Sequence, residues 1–368
     1  MTTDLFESED VEAALCLPAD FPYDDLHAIA GELERAQIFV PGYVPPPVGL
    51  YHPDGFLYEE HCLRVKTVLL PDRNIVSRMA QVAQGLDIDG PRRTAAAVLA
   101  FAQCLDIEIE PSIAFHELAP QHGNKRALEE LAWFRAADNG HVHDWIAAAL
   151  GRVERLPIAS APPINQQLDL AKPLRRWRRN YIATMKICAL ELSAAPPLDR
   201  LFRLFEWMHR DFIIAGPAAM FACLYFAPNS PPRRGLLKSL RSSDRNRALA
   251  GARNAAWDLT HLSDFVERVS KAKNGRTRYV FASLDESLRH IARLVFGTEQ
   301  NTTEQNDLAG ALARWWPEPN AVAIADALQS LFSRINEPNR QIHRQQTLGF
   351  INEMIVKGEA ELLTWQPT

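Results

Sequence analysis

Apolar positions along the chain follow two periods, and the switches between them mark its elements. The run HCLRVKTVLL mixes β-branched and apolar residues and stops abruptly at Pro71, the pattern of a buried strand. NIVSRMAQVAQG then spaces its apolar residues by three and four, which predicts a helix closed by Gly85. PRRTAAAVLAFAQCL predicts a second helix, with Pro91 in the first turn, where a missing N–H costs nothing. DIEIE alternates in steps of two, and PSIAFHELA restarts a helix at Pro111. Strand, helix, helix, short strand and helix in that order predict an α/β fold with a parallel sheet flanked by helices.

The remaining segments are placed around this unit. Residues 1–60 read as an acidic N-terminal arm with one amphipathic helix (DDLHAIAGELERAQ) and a linker rich in Pro and Gly (VPGYVPPPVGLYHPDG). Residues 61–123 form the first part of the α/β core. Residues 124–240 are patterned as helices broken at SAPP, SAAPP and APNSPPRRG, and are expected to be a large helical insertion. Residues 241–298 form the second part, with the helix NAAWDLTHLSDFVERVSKA, the strand RYVFAS and the helix LDESLRHIARLVFG. After the polar run TEQNTTEQND, residues 299–368 are a helical C-terminal tail. There is no internal repeat.

Composition narrows the class. Hydrophobic residues make up 47% of the 368 positions and charged ones 23%, values of an ordinary globular chain rather than a disordered one. A net charge of −5 gives no global argument for nucleic-acid or membrane binding, so any such argument must be local. The five cysteines are scattered, without C-x-x-C, and are expected to be reduced and mainly core filler. The acidic N-terminus lacks the features of a signal peptide, and no apolar stretch reaches the ~20 residues of a spanning helix. A soluble cytoplasmic protein is the expectation.

Candidate chemistry lies at the strand ends. Ligands of open parallel sheets bind outside the carboxyl ends of the strands. Asp72 follows the first strand in LLPDRN, and Asp285 follows the later one in FASLDES. Glu117 stands on the helix after DIEIE, and Asp258 stands between Trp257 and Leu259 on the helix before RYVFAS. Clustered carboxylates repel one another unless a cation joins them, and hard divalent ions prefer oxygen ligands. Singly, an Asp after a strand is more often a helix cap or turn residue than a ligand, Glu117 reads equally as an exposed helix residue, and Asp258 as a partner of Arg253 or His261. Together they suit a metal site for phosphodiester hydrolysis.

This order of elements and acids resembles the PIN-like nucleases. The carry-over is LLPDRN for the first acid (Asp72), PSIAFHELA for the glutamate (Glu117), NAAWDLTHL for the third acid (Asp258) and VFASLDES for the fourth (Asp285). Asn74 stands where that family often has an asparagine. The resemblance covers roughly residues 63–120 and 245–297, and departs in the long helical stretch between Glu117 and Asp258. It implies a PIN-like parallel sheet with a large helical insertion and a helical tail. It also implies a Mg²⁺- or Mn²⁺-dependent endonuclease, RNA favoured over DNA, with all four acids as catalytic metal ligands. A toxin or defence role belongs to the same resemblance.

A local excess of cations supports nucleic-acid contact. PPRRGLLKSLRSSDRNRALAGAR carries Arg233, Arg234, Lys238, Arg241, Arg245, Arg247 and Arg253 against a single acid, Asp244. Those residues other than Arg247, together with Arg73 and Asn74, are the candidate phosphate contacts. LRRWRRNY, around Trp177 and Tyr181, fits either base stacking or a helix that buries its tryptophan. His141, His143 and Asp144 lack a further ligand cluster, and His116 beside Glu117 reads as structural. The P-loop, dinucleotide and serine-hydrolase motifs are absent. The rival readings are a non-catalytic helical scaffold or adaptor and a nucleic-acid-binding protein without cleavage. In the nuclease reading the helical insertion and the tail would choose the substrate or dock a protein partner.

Overall fold

The computed structural model describes residues 16–160, 163–164, 167–230, 236–272, 275–296, 308–337 and 347–366. Four strands form one mixed, mostly parallel sheet: β1 (Phe39–Pro41), β2 (Lys66–Pro71), β3 (Glu108–Ile109) and β4 (Thr277–Ala282). Their spatial order is β1-β4-β2-β3. The strands β2 and β4 run parallel over the register Lys66↔Thr277 to Pro71↔Ala282, β3 runs parallel to β2, and β1 closes the far edge antiparallel to β4.

The apolar run of β2 is continuous because the strand is covered on both faces. Val68 and Leu70 point into one core and Leu69 into the other; on β4, Phe281 opposes Val280 and Ala282 in the same way. The second core is built with α1 (Tyr23–Ala36), α2 (Pro53–His61), α3 (Arg73–Ala83), α4 (Gly90–Cys104), α5 (Ser112–His122), α6 (Asn124–Asp138) and α7 (Val142–Ala149). The first core is built with α8 (Arg175–Leu192), α9 (Pro197–Arg210), α10 (Gly216–Tyr225), α11 (Arg245–Ala272) and α12 (Glu286–Phe296). It also includes α13 (Leu308–Ala313), α14 (Glu318–Ser333) and α15 (Leu348–Thr364).

The helices of the stretch 124–240 divide between the two layers: α6 and α7 pack on α3 and α4, while α8–α10 lie with α11. The N-terminal segment is equally built in. Phe39–Pro41 becomes a strand, α2 forms within the expected linker, and Leu26, Ile29 and Leu33 of α1 are fully buried. The tail also belongs to the body, since α15 packs against α8 and α11, with Gly358 against Met185.

Local signals act as the sequence implies. Asp89 caps α4 through the Arg92 amide with Pro91 in the first turn, and Gly85 takes a left-handed φ of 77° just beyond α3. Cys188 and Cys223 are buried, whereas Cys16 and Cys62 are exposed, so only part of the cysteine set fills the core. No helix among the described residues is long and apolar enough to cross a membrane.

Candidate active site

Pairing of β2 with β4 brings their carboxyl ends side by side. The ladder runs one step past the strands, with the Asp72 amide donating to the Ala282 carbonyl at 2.8 Å. Asp72, only 3% exposed, is the N-cap of α3: Oδ1 accepts the Ile75 amide at 3.0 Å, and Oδ2 accepts the Ser283 hydroxyl at 2.5 Å. Burial pushes the Asp72 carboxyl up. The two hydrogen bonds and His261 act against that shift, and Glu117 adds to it.

Ser283 links two of the acids. Its oxygen donates to Asp72 and accepts the Asp285 amide at 2.9 Å. Asp285 in turn caps α12, with Oδ1 receiving the amides of Ser287 (2.8 Å) and Leu288 (3.2 Å). Behind this turn the buried Arg289 donates to the Ser283 carbonyl at 2.7 Å and fixes its direction.

The other two acids face this edge from helices. Glu117 on α5 places Oε2 3.1 Å from Nε2 of the buried His261. On α11, His261 and Asp258 are three residues apart and share a helix face. Asp258 is partly buried and has no hydrogen-bond or ion-pair partner among the described residues. Its carboxyl is pushed well above the usual range by burial, then by the charges of Glu117, Asp285 and Asp72. Lys238 is the cation that opposes this. The other three acids therefore all act electrostatically on Asp258, the one of the four without a partner among the described residues.

Lys238 is held there by backbone contact. The segment around it is anchored by the buried Leu236, Leu237 and Leu240, and it presses on Gly251, where a Cβ would lie 2.0 Å from the Lys238 carbonyl oxygen. Gly251 precedes Asp258 by two turns on one face of α11.

No protein-family model, curated protein or solved structure matches the chain.

The donor set is not preassembled for an ion. Among the described residues no group of three or more His, Cys, Asp and Glu side chains stands at metal-holding spacing. The reason is visible in the partners: Asp72 is bonded at both oxygens, Glu117 leans on His261, and Asp285 gives Oδ1 to a helix end. Oδ2 of Asp285 and both oxygens of Asp258 are without hydrogen bonds among the described residues.

Four of the eight expected phosphate contacts have partners within the fold. Arg73 forms a two-pronged pair with Glu130, at 2.6 and 3.1 Å, and is turned into the structure. Arg241 binds Glu191 at 3.0 Å, and Arg253 binds Glu359 at 2.9 Å. Arg245 ties the carbonyls of Leu240, Ser242 and Leu362 together and lies over Trp365. Arg241, Arg245 and Arg253 thus each have a partner within the C-terminal half, while the Arg241 and Arg253 side chains stay 61% and 51% exposed. Asn74 and Lys238 are exposed, whereas Arg233 and Arg234 lie outside the described residues.

Ser283 was not a candidate in the sequence, and His261, an expected partner of Asp258, pairs with Glu117 instead. Ser283 could have been found as the first residue past β4, the register mate of Asp72.

Proposed function

We propose that the chain is a Mg²⁺- or Mn²⁺-dependent endonuclease that hydrolyses phosphodiester bonds, RNA favoured over DNA. The observation that carries this reading is Asp258, a carboxyl without a partner among the described residues that lies under the charges of Asp72, Glu117 and Asp285. Repulsion of this kind is costly in a site without purpose and is relieved by a divalent cation. Resemblance to the PIN-like nucleases supports the same reading, through acids that follow strands in the same order. A toxin or defence role rests on that resemblance alone.

In this reading the ion would be held by Asp258 and the unbonded oxygen of Asp285, with Glu117 and Asp72 completing the acidic wall. A bound divalent ion would generate a hydroxide nucleophile near neutral pH and draw charge from the phosphate. The chain's own groups do the positioning. Ser283 locks Asp72 in one rotamer, His261 orients Glu117, and Lys238 offers a positive charge to a phosphate at the rim. The supporting shell thus lies in one serine, one histidine and the Arg289 behind them.

The test uses the purified chain with Mn²⁺ and single-stranded RNA. Mn²⁺ should raise the melting temperature of wild type but not of Asp72→Asn or Asp258→Asn, and only wild type should cut. Metal-independent melting together with no cleavage of any RNA or DNA tried would sink the proposal. It would favour the non-catalytic scaffold, a reading encouraged by arginines committed to internal pairs.

A further inference from the structure

A second concavity adjoins the acids. A groove of about 730 Å³ is lined by Trp177 and Tyr181 of α8, Arg253 and Trp257 of α11, and Glu359 of α15. Two of its residues stand close to acids along their own helices. Trp257 immediately precedes Asp258, and Gln121, at the groove's α5 side, lies one turn beyond Glu117.

The polar centre of the groove is a carboxylate in a site suited to an oxyanion. Oε1 of Glu359 accepts the Tyr181 hydroxyl at 2.8 Å and the Arg253 guanidinium at 2.9 Å. Arg253 lies over the Tyr181 ring, 5.9 Å from its centre, and its side chain stays 51% exposed. Beside them the part-exposed Trp177 packs on the buried Tyr181 at 5.0 Å and the buried Trp257 at 5.4 Å, so Trp177 is the ring that the groove offers to a base. A guanidinium and a hydroxyl on one oxygen, next to aromatic rings, match what a phosphate and its unpaired base require. Glu359 is not needed to seat α15. That helix is also held by Arg178 on Asn352, by Arg245 on the Leu362 carbonyl and Trp365, and by the close fit of Gly358 on Met185.

We propose that this groove receives an unpaired nucleotide of a nucleic-acid strand, its base against Trp177 and its phosphate on Arg253 and on the Tyr181 hydroxyl that Glu359 now covers, so that Glu359 masks the site as an internal phosphate mimic. The inference rests on the nuclease reading for its orientation toward the acids. A mask of this kind makes a sign-inverting prediction. Neutralising Glu359 should tighten binding, whereas a purely structural ion pair would leave binding unchanged or weaken it.

The experiment measures binding of labelled single-stranded RNA and DNA of one sequence, and of the matching duplex, by fluorescence anisotropy in EDTA. Glu359→Gln should bind either single strand about tenfold more tightly, the scale of one charge-assisted hydrogen bond. Arg253→Gln should bind about tenfold more weakly, with the log–log salt slope reduced by about one. Tyr181→Phe, which removes only the hydroxyl, guards against a folding defect in the charged pair and should weaken binding in the same direction. Melting curves on every variant verify the fold. Unchanged or weaker binding by folded Glu359→Gln, or an equal gain for the duplex, overturns the proposal. Since EDTA excludes cleavage, absence of Mn²⁺-dependent cutting alongside an intact Glu359 effect sinks only the nuclease reading. Cutting without a Glu359 effect sinks only the groove.

Discussion

At the residue scale, Asp258 sets the terms of the site. Its carboxyl is held above the ordinary range by burial and by three neighbouring acids, so it lends stability only while protonated. Stability in EDTA should therefore fall as pH rises past the ordinary carboxylate range, and should level off above the folded-state pKa. Asp258→Asn removes this penalty and should be more stable than wild type at pH 7 by about 0.5–2 kcal/mol, while losing any metal response. The difference should vanish in acid. Urea unfolding across a pH series checks it, and an asparagine variant less stable than wild type at pH 7 would contradict the repulsion argument. Ser283→Ala tests the neighbouring support. It leaves a buried Asp72 oxygen without its donor, which costs about 1–3 kcal/mol, and it frees the carboxyl to turn. Thermal melting should show the loss, and wild-type stability would mean that water replaces the hydroxyl.

At the scale of elements, Gly251 decides where Lys238 sits. A Cβ there meets a backbone oxygen at 2.0 Å, and a backbone atom cannot swing aside as the tip of a side chain can. Gly251→Ala should cost about 1–3 kcal/mol and displace the segment carrying Lys238. Gly31→Ala in α1, which meets only an arginine tip at 3.8 Å, should be neutral or stabilising. Equal melting temperatures for the two variants would remove the significance given to Gly251.

The elements also show what a linear reading can reach. The strands β2 and β4 were legible because burial on both faces writes an unbroken apolar run, and the acids after them followed from the strand ends. The strand β1 was not legible. Its three residues sit in a Pro-rich stretch, and their reason to be extended is β4, far along the chain. The arginines around residue 245 were legible as charges but not as partners. Their fate depends on Glu191, Glu359 and the Leu362 carbonyl, which only the fold brings near.

For the whole molecule, the C-terminal helix is as much a part of the core as the sheet. Leu362 is fully buried, Ile351 nearly so, and the helix covers α8 and α11 beside the groove. A chain ending before residue 347 should lose several degrees of melting temperature through the apolar surface it uncovers. An unchanged melting temperature would make the helix an appendage.

The spatial order of the sheet has a consequence for how the molecule is made. The strand β4 lies between β1 and β2, yet it is synthesised after both, and the bond between Asp72 and Ser283 spans 211 positions. Until β4 emerges, β1 has no partner and β2 presents an open apolar edge, a form prone to joining other chains. Closure of the sheet is thus a late, long-range step, slow by its loop length. The same step seats Ser283 and Asp285 beside Asp72, so the acidic site comes into being only when the gap in the sheet is filled.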